Sequence, residues 1–200
     1  RSRLRDHISA ARLRDHVTVS NFHGLAARII RAHGNVIGID PTVELPENDW
    51  VGEQLHQLGV QYKAKDAAMD ILRTTKQQAL SDDQVAVALD AHGDQTAIAL
   101  EKKRIAENRA TYDDLLRYAE LILANDAVAD LYRNHFGAVI VDEYQDLTPQ
   151  QLRVLTRIGE GRITFAGDLA QGIYGFAGAS PSQIDAIVRA AAEDIIEFNE

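Results

Sequence analysis

No cysteine occurs anywhere in the chain. That excludes a disulfide framework and any thiolate metal site, and it makes a reducing, cytoplasmic setting the natural expectation. No apolar run approaches the roughly 18 to 20 residues that span a bilayer, and the N-terminus carries no secretory signal pattern, so no membrane partner is expected. A basic excess is missing as well. The net charge is −9, whereas an electrostatic nucleic-acid binder ordinarily presents a basic surface. The deficit is uneven, because residues 1–34 hold seven Arg against two Asp, a local +5, which leaves −14 for residues 35–200. Arg1, Arg3, Arg5, Arg12 and Arg14 read equally well as a solvated helix face. The chain opens on Arg1 inside a helix-like pattern of Leu4, Ile8 and Leu13, and it is expected to be a piece of a longer protein.

What is present can build a core. With 46% hydrophobic residues in 200, the chain suits one compact domain, or one domain with an inserted lobe. Val17–Ser20 is β-prone and leads into Phe22-His23-Gly24 and a helical pattern of Leu25, Ile29 and Ile30, with Gly34 as its stop. From about Val36 to Asn108 the texture changes to alanine-, glutamine- and charge-rich segments. Helices are predicted there around 47–58, 62–74, 82–91 and 94–109, with Trp50 in their small core. Thr111 and Asp114 have capping-box spacing ahead of a helix carrying Leu115, Leu116, Ala119, Leu121 and Ile122. A helix over 126–135 precedes Ala138–Val141, an apolar run that reads as a buried parallel strand. A helix over 149–158 separates it from a second run, Ile163–Ala166. Pro181 can open a last helix, and Ile195–Phe198 reads as one more strand. Alternation at this spacing indicates an α/β parallel sheet.

The first chemical signal is Val139-Ile140-Val141-Asp142-Glu143-Tyr144-Gln145-Asp146. An apolar strand ending in two acids puts carboxylates at the C-terminal edge of a parallel sheet, where α/β proteins bind ligands. That placement suits Mg²⁺ beside a nucleotide phosphate chain, with the second acid activating a water. Strands also end in polar residues wherever they meet solvent, so this run alone does not decide. The second signal is the loop from Gly167 to Ala179, with four glycines and two aromatics after a strand. Glycines allow close backbone approach to a ligand, and Gln171 offers both donor and acceptor. Alone, it reads equally well as a glycine-rich turn with Tyr174 and Phe176 as core plugs.

Together these segments resemble a known family. Asp142-Glu143-Tyr144-Gln145-Asp146 with Gln151, followed by Gly167-Asp168-x-x-Gln171-x-Ile173-Tyr174-x-Phe176-x-Gly178-Ala179, closely resembles motifs II and III of UvrD/Rep/PcrA-type DNA helicases. Val19–Gly24 with Ile29-Ile30-Arg31 looks like that family's Thr-Phe-His-Ser segment, and Thr111–Leu116 like its Asp-Phe-Asp-Asp-Leu helix. The resemblance implies a partial RecA-like (P-loop NTPase) parallel-sheet domain, built from residues 1–36 and 110–200, with 37–109 as a helical accessory lobe. It implies ATP and Mg²⁺ as cofactors. Asp142 would hold the metal, Glu143 would activate the attacking water, and Gln145 and Gln171 would sense the γ-phosphate. Gln151 and Asp168 would also lie at the nucleotide. Asn21, Phe22, His23, Tyr174 and Phe176 would line single-stranded DNA, where base–aromatic stacking tolerates any sequence. A histidine among apolar neighbours is also commonly structural. The remaining helicase domains of the same protein would be partners, and 3′-to-5′ translocation in DNA repair would be the activity.

The departures from the family pattern carry equal information. No Gly-x-x-x-x-Gly-Lys-Ser/Thr occurs, and none of the five lysines follows a glycine. The backbone cradle and phosphate lysine are therefore not in this chain. Asn21 stands where the family has Thr, Phe176 where it has Trp, and Ala177 where it has Arg. Two other readings remain open at this point: a helicase-like module of a helicase–nuclease complex that binds DNA without turnover, and an unrelated α/β domain with an incidental acidic strand end. The 200-residue chain by itself should show no ATPase above background, with or without single-stranded DNA. Two carboxylates and an amide do not replace the cradle and lysine. Phosphate release measured with added oligonucleotide checks this, and turnover abolished by Glu143→Ala would contradict it.

Overall fold

A computed structural model of the protein describes residues 16–40, 42–46, 49–169 and 181–197. Among these residues the fold is mixed α/β and mostly helical. Helix α1 (Phe22–His33) begins at Asn21, whose side chain accepts from the Gly24 amide at 2.9 Å, and it buries Ala26, Ile29 and Ile30. Four helices follow: α2 (Trp50–Gln57), α3 (Tyr62–Lys76), α4 (Asp82–His92) and α5 (Gln95–Ala106). Their apolar faces close on a cluster of Leu55, Ala68, Leu72, Val85, Leu89, Ala97 and Leu100. Trp50 is buried outside that cluster, its indole donating to Glu107 at 3.1 Å under the Arg109 guanidinium.

The larger cluster is built from α1, α6 (Tyr112–Leu123), α7 (Asp126–His135), β1 (Val139–Val141), α8 (Pro149–Gly159) and α9 (Pro181–Ala191). Ile29, Leu116, Ile122, Val141, Leu155 and Ile184 lie in it. Strand β2 (Ile163–Phe165) pairs in parallel with β1, Val139 facing Ile163 and Val141 facing Phe165. Helix α8 is the crossover. Pro149 opens it, and Thr148 and Gln151 cap it reciprocally at 2.8 and 3.2 Å. At its end Gly159 leaves room for the sheet, since a Cβ there would stand 2.8 Å from Ile163 and 3.0 Å from Val139.

Three sequence expectations change. Val17–Ser20 forms no strand, and neither do residues 195–197 (Phe198 lies outside the described residues). An extended segment gains stability only beside a pairing partner, and β-propensity does not supply one. The strand at 139–141 is not buried on both faces: Val141 is 6% exposed but Ile140 is 77% exposed. The helices cover one face of the pair, so alternation survives inside an apolar run.

A buried ionic cluster joins α3, α4, α5 and α6. Lys76 Nζ reaches Glu101 at 2.7 Å and Asp114 at 3.0 Å. Arg104 bonds Glu101 at 2.6 Å and Asp82 at 3.0 Å, and donates to the Tyr118 hydroxyl at 2.9 Å. Arg117 bonds Asp114 and Asp82, each at 2.6 Å, and donates to the Leu80 carbonyl. The Asp114 carboxylate also accepts from the Thr111 amide and hydroxyl, at 2.9 and 2.7 Å. Three cations balance three carboxylates, and all but Asp82 are at most 3% exposed. Burial by itself would raise the Asp114 carboxyl, but Lys76, Arg104 and Arg117 outweigh it and hold the pKa far below the usual carboxylate value.

Removing one member leaves an uncompensated buried charge, which costs about 3–5 kcal/mol. Lys76→Met should lower the urea midpoint accordingly. Because the folded pKa of Asp114 lies below its unfolded value, the stability it contributes is present above about pH 4 and is lost as pH falls below that. The urea midpoint of the protein should therefore decline below about pH 4. Asp114→Asn should start from a lower midpoint and show a shallower decline; an unchanged acid profile would contradict the assignment.

Candidate functional site

Asp142 and Glu143 emerge, both exposed, at the C-terminal end of β1, where Val141 is the last core residue. Asp142 turns back to accept the Glu143 amide at 3.1 Å. Glu143 has φ 53°, the left-handed region. A non-glycine residue held there stores on the order of 1–3 kcal/mol unless its surroundings compel it, a frequent mark of working sites. The chain then tightens into a 3₁₀ turn, Tyr144–Asp146.

What compels the turn is its contact with the loop after β2. The Tyr144 amide donates to the Ala166 carbonyl at 3.1 Å, one step beyond the strand ladder. Gln145 is 1% exposed and lies between the two loops. Its Nε2 donates to Glu143 Oε2 at 2.6 Å, and its Oε1 accepts from the Asp168 amide at 3.1 Å. A carboxylate only accepts and a backbone N–H only donates, so the partners fix which way the amide points. Gly167 makes the approach possible: a Cβ there would lie 2.1 Å from Gln145 Oε1 and 3.0 Å from the Tyr144 nitrogen. Behind the turn, Tyr144 donates its hydroxyl to Asp185 of α9 at 2.8 Å, and Asp185 also bonds Arg189 at 2.9 Å. Burial and the Asp185 bond raise the phenol pKa. Asp146 keeps one buried carboxylate oxygen without a hydrogen-bond partner.

Two exposed carboxylates at a parallel strand's C-terminal edge offer the hard oxygen donors that Mg²⁺ takes. The donor set fits the metal side of a nucleotide site. Among the described residues, the three acids that approach each other closely enough to share an ion are Asp82, Glu101 and Asp114. Lys76, Arg104 and Arg117 already neutralise them, so that cluster is structural. Gln151, expected at the nucleotide, uses its side chain in the α8 capping box. Asp168 is exposed beside Gln145. Gln171, Tyr174, Phe176 and Ala177 lie outside the described residues.

Asn21, Phe22 and His23 gather at the start of α1. Asn21 caps the helix, and Phe22 is half-buried against the main cluster. His23 is exposed and sets its ring edge against Tyr112 at 5.5 Å. Desolvation on that packed side lowers the imidazole pKa, with Asp113 pulling the other way. Both rings open on a hollow of about 490 Å³ that also meets Asn21, Arg31 and Leu45. Sequence reading missed Tyr112 as the aromatic partner, and missed Asp185 and the ionic cluster altogether. Gly167 was visible as a loop glycine, but the atoms it makes room for were not.

The family model described as the UvrD/REP helicase N-terminal domain matches residues 1–191. Among curated proteins, the chain is 45% identical over 73 residues to "ATP-dependent DNA helicase UvrD2" of Mycobacterium tuberculosis, covering 35% of this chain and 10% of that protein. It is 37% identical over 84 residues to "Exonuclease/helicase subunit RexA" of Lactococcus lactis subsp. cremoris, covering 41% of this chain and 7% of that protein. With an ATP-dependent helicase/nuclease subunit of Lactobacillus helveticus it shares 34% over 102 residues, 47% of this chain and 8% of that protein. These matches thus span a tenth or less of the relatives' own length.

The α1 entrance yields a paired prediction. Phe22→Ala removes a ring packed on the core and should lower folding stability by about 1–3 kcal/mol, below the 3–5 typical of a fully buried Phe. His23→Ala, on the exposed side, should stay within about 0.5 kcal/mol. Urea denaturation of the two variants measures the contrast, and equal losses would show that the ring positions are misassigned.

Proposed function

The chain belongs to the UvrD/REP helicase N-terminal domain family, and from that membership we propose that it supplies the metal-binding and water-activating half of the ATP site in a DNA helicase. One observation carries the reading: Asp142 and Glu143 stand exposed where β1 ends, tied through Gln145 to the loop after β2. In this reading residues 1–36 and 110–200 form the first RecA-like domain and residues 37–109 an accessory lobe, which the separate apolar cluster of α2 to α5 supports. The phosphate-binding loop and the second RecA-like domain come from the rest of the protein.

Asp142 would hold Mg²⁺. Bound with ATP, the ion would neutralise charge on the phosphates. Glu143 has the chemistry for the next role: its carboxylate is solvent-reachable, fixed on one side by Gln145, and able to take a proton from water. Gln171 would meet the γ-phosphate. His23 and Tyr112, with Asn21 and Phe22 beside them, would border single-stranded DNA, to which Tyr174 and Phe176 would add stacking surface. Movement would be 3′ to 5′, in DNA repair, in the cytoplasm. A helicase-like module that binds DNA without turnover is the second reading, since proteins named as helicase/nuclease and exonuclease/helicase subunits are among the relatives. The intact Asp142, Glu143 and Gln145 weigh against it.

In the full-length protein, Glu143→Gln should leave Mg²⁺-dependent ATP binding nearly intact and cut DNA-stimulated turnover about 10²-fold or more, the scale of losing a general base. Asp142→Ala should weaken the Mg²⁺-dependent binding itself. Steady-state ATPase assays beside titrations with a fluorescent nucleotide separate the two effects. Near-normal turnover in Glu143→Gln would refute the role given to that residue.

A further inference from the structure

Gln145 invites a different role from the phosphate contact that the sequence resemblance implies. It is 1% exposed, and both polar atoms of its amide are engaged inside the protein. A side chain so buried meets a ligand only if the two loops part around it. Its two bonds also differ in kind. One is a charge-assisted donation to a carboxylate, the stronger class; the other accepts a backbone N–H from a separate loop.

We propose that Gln145 is a positioning residue, holding the Glu143 carboxylate in one orientation and tying the acidic loop after β1 to the glycine loop after β2. Three features support the assignment. Glu143 has a left-handed backbone, so its side-chain direction is set by a conformation that needs outside support. The Tyr144 amide bonds Ala166, placing a second link beside the first. Gly167 leaves no room for a Cβ against Gln145 Oε1, so the amide fills the gap between the loops. The consequence is mechanical: a shift of the loop at 167–168 pulls on Gln145 and rotates Glu143. Whatever meets that loop thereby acts on the water-activating carboxylate. The catalytic half of this proposal rests on the reading of Glu143 as proton acceptor; the tie between the loops does not.

The test uses the full-length protein with two substitutions, thermal melts confirming that each variant folds. Gln145→Met keeps the length and loses both hydrogen bonds. Gln145→Glu keeps an acceptor for Asp168 but sets a carboxylate against that of Glu143. Both should lower DNA-stimulated kcat by about 10- to 10²-fold, the cost of a small misplacement of a reacting group. KM for ATP should stay within about twofold, because no ground-state contact is lost. In a Glu143→Gln background, single-turnover rates should fall no further when Gln145→Met is added, since the residue acts through Glu143. Hydrogen exchange, which needs no nucleotide, reads the tie directly. The Asp168 amide should exchange at least about tenfold faster in Gln145→Met and remain protected in Gln145→Glu. Additive losses in the double variant, or an Asp168 amide indifferent to Gln145→Met, would overturn the positioning role while leaving the proposed function standing. A full-length protein that turns over no ATP would defeat the proposed function and the catalytic half of this proposal with it. Exchange at Asp168 would then uphold or reject the tie by itself.

Discussion

Charge neutrality in a water-poor interior is the constraint on which the rest of the structure depends. Lys76, Arg104 and Arg117 face Glu101, Asp114 and Asp82 where four helices converge. Desolvating any one of these groups alone costs more than its hydrogen bonds return, so the cluster forms complete or fails. Two of its members, Asp114 and Arg117, belong to α6, which packs on α1 and α8 in the main core. The other four come from α3, α4 and α5. The orientation of the helical lobe against the sheet side is therefore set by directional bonds, which apolar contact alone would leave free to slide.

That junction extends to the candidate site. Gln150, in the first turn of α8, donates to the Lys76 carbonyl at 3.0 Å, and Arg153 donates to the Gln77 carbonyl at 2.8 Å. The carbonyls at the end of α3, which lack partners within the helix, are thus held by the helix that follows the acidic loop. The same α8 starts three residues after the 3₁₀ turn holding Gln145. On its other side the turn is anchored to α9 through Tyr144 and Asp185. The acidic residues are exposed at their tips and held at their base from three directions, as a site that must keep its geometry while meeting ligand requires.

Much of this was legible in the residues. A capping pattern marked the start of α6, through Thr111 and Asp114, because caps satisfy local backbone donors within a few residues. Stretches rich in alanine, glutamine and charge placed every helix of the lobe to within a few residues. Strands were less legible: Val17–Ser20 and residues 195–197 have β-prone residues but pair with no strand among the described residues, and pairing is a non-local property. Ile140 shows the same limit, since an apolar run does not reveal which of its faces another layer will cover.

By itself, the sequence determined the approximate helix positions, the absence of a phosphate cradle in this chain, and the order Asp142-Glu143-Tyr144-Gln145-Asp146 on which the family resemblance rests. These follow from local chemistry or from residue identity, neither of which depends on distant neighbours. Only the tertiary structure decided that Lys76 would be buried against Asp114, 38 positions away. It alone decided that Gln145 would bridge Glu143 to an amide 23 positions on, and that Gln151 would cap a helix. An amide or ammonium group satisfies whichever partner the fold brings within about 3 Å, and that partner is chosen by chain topology.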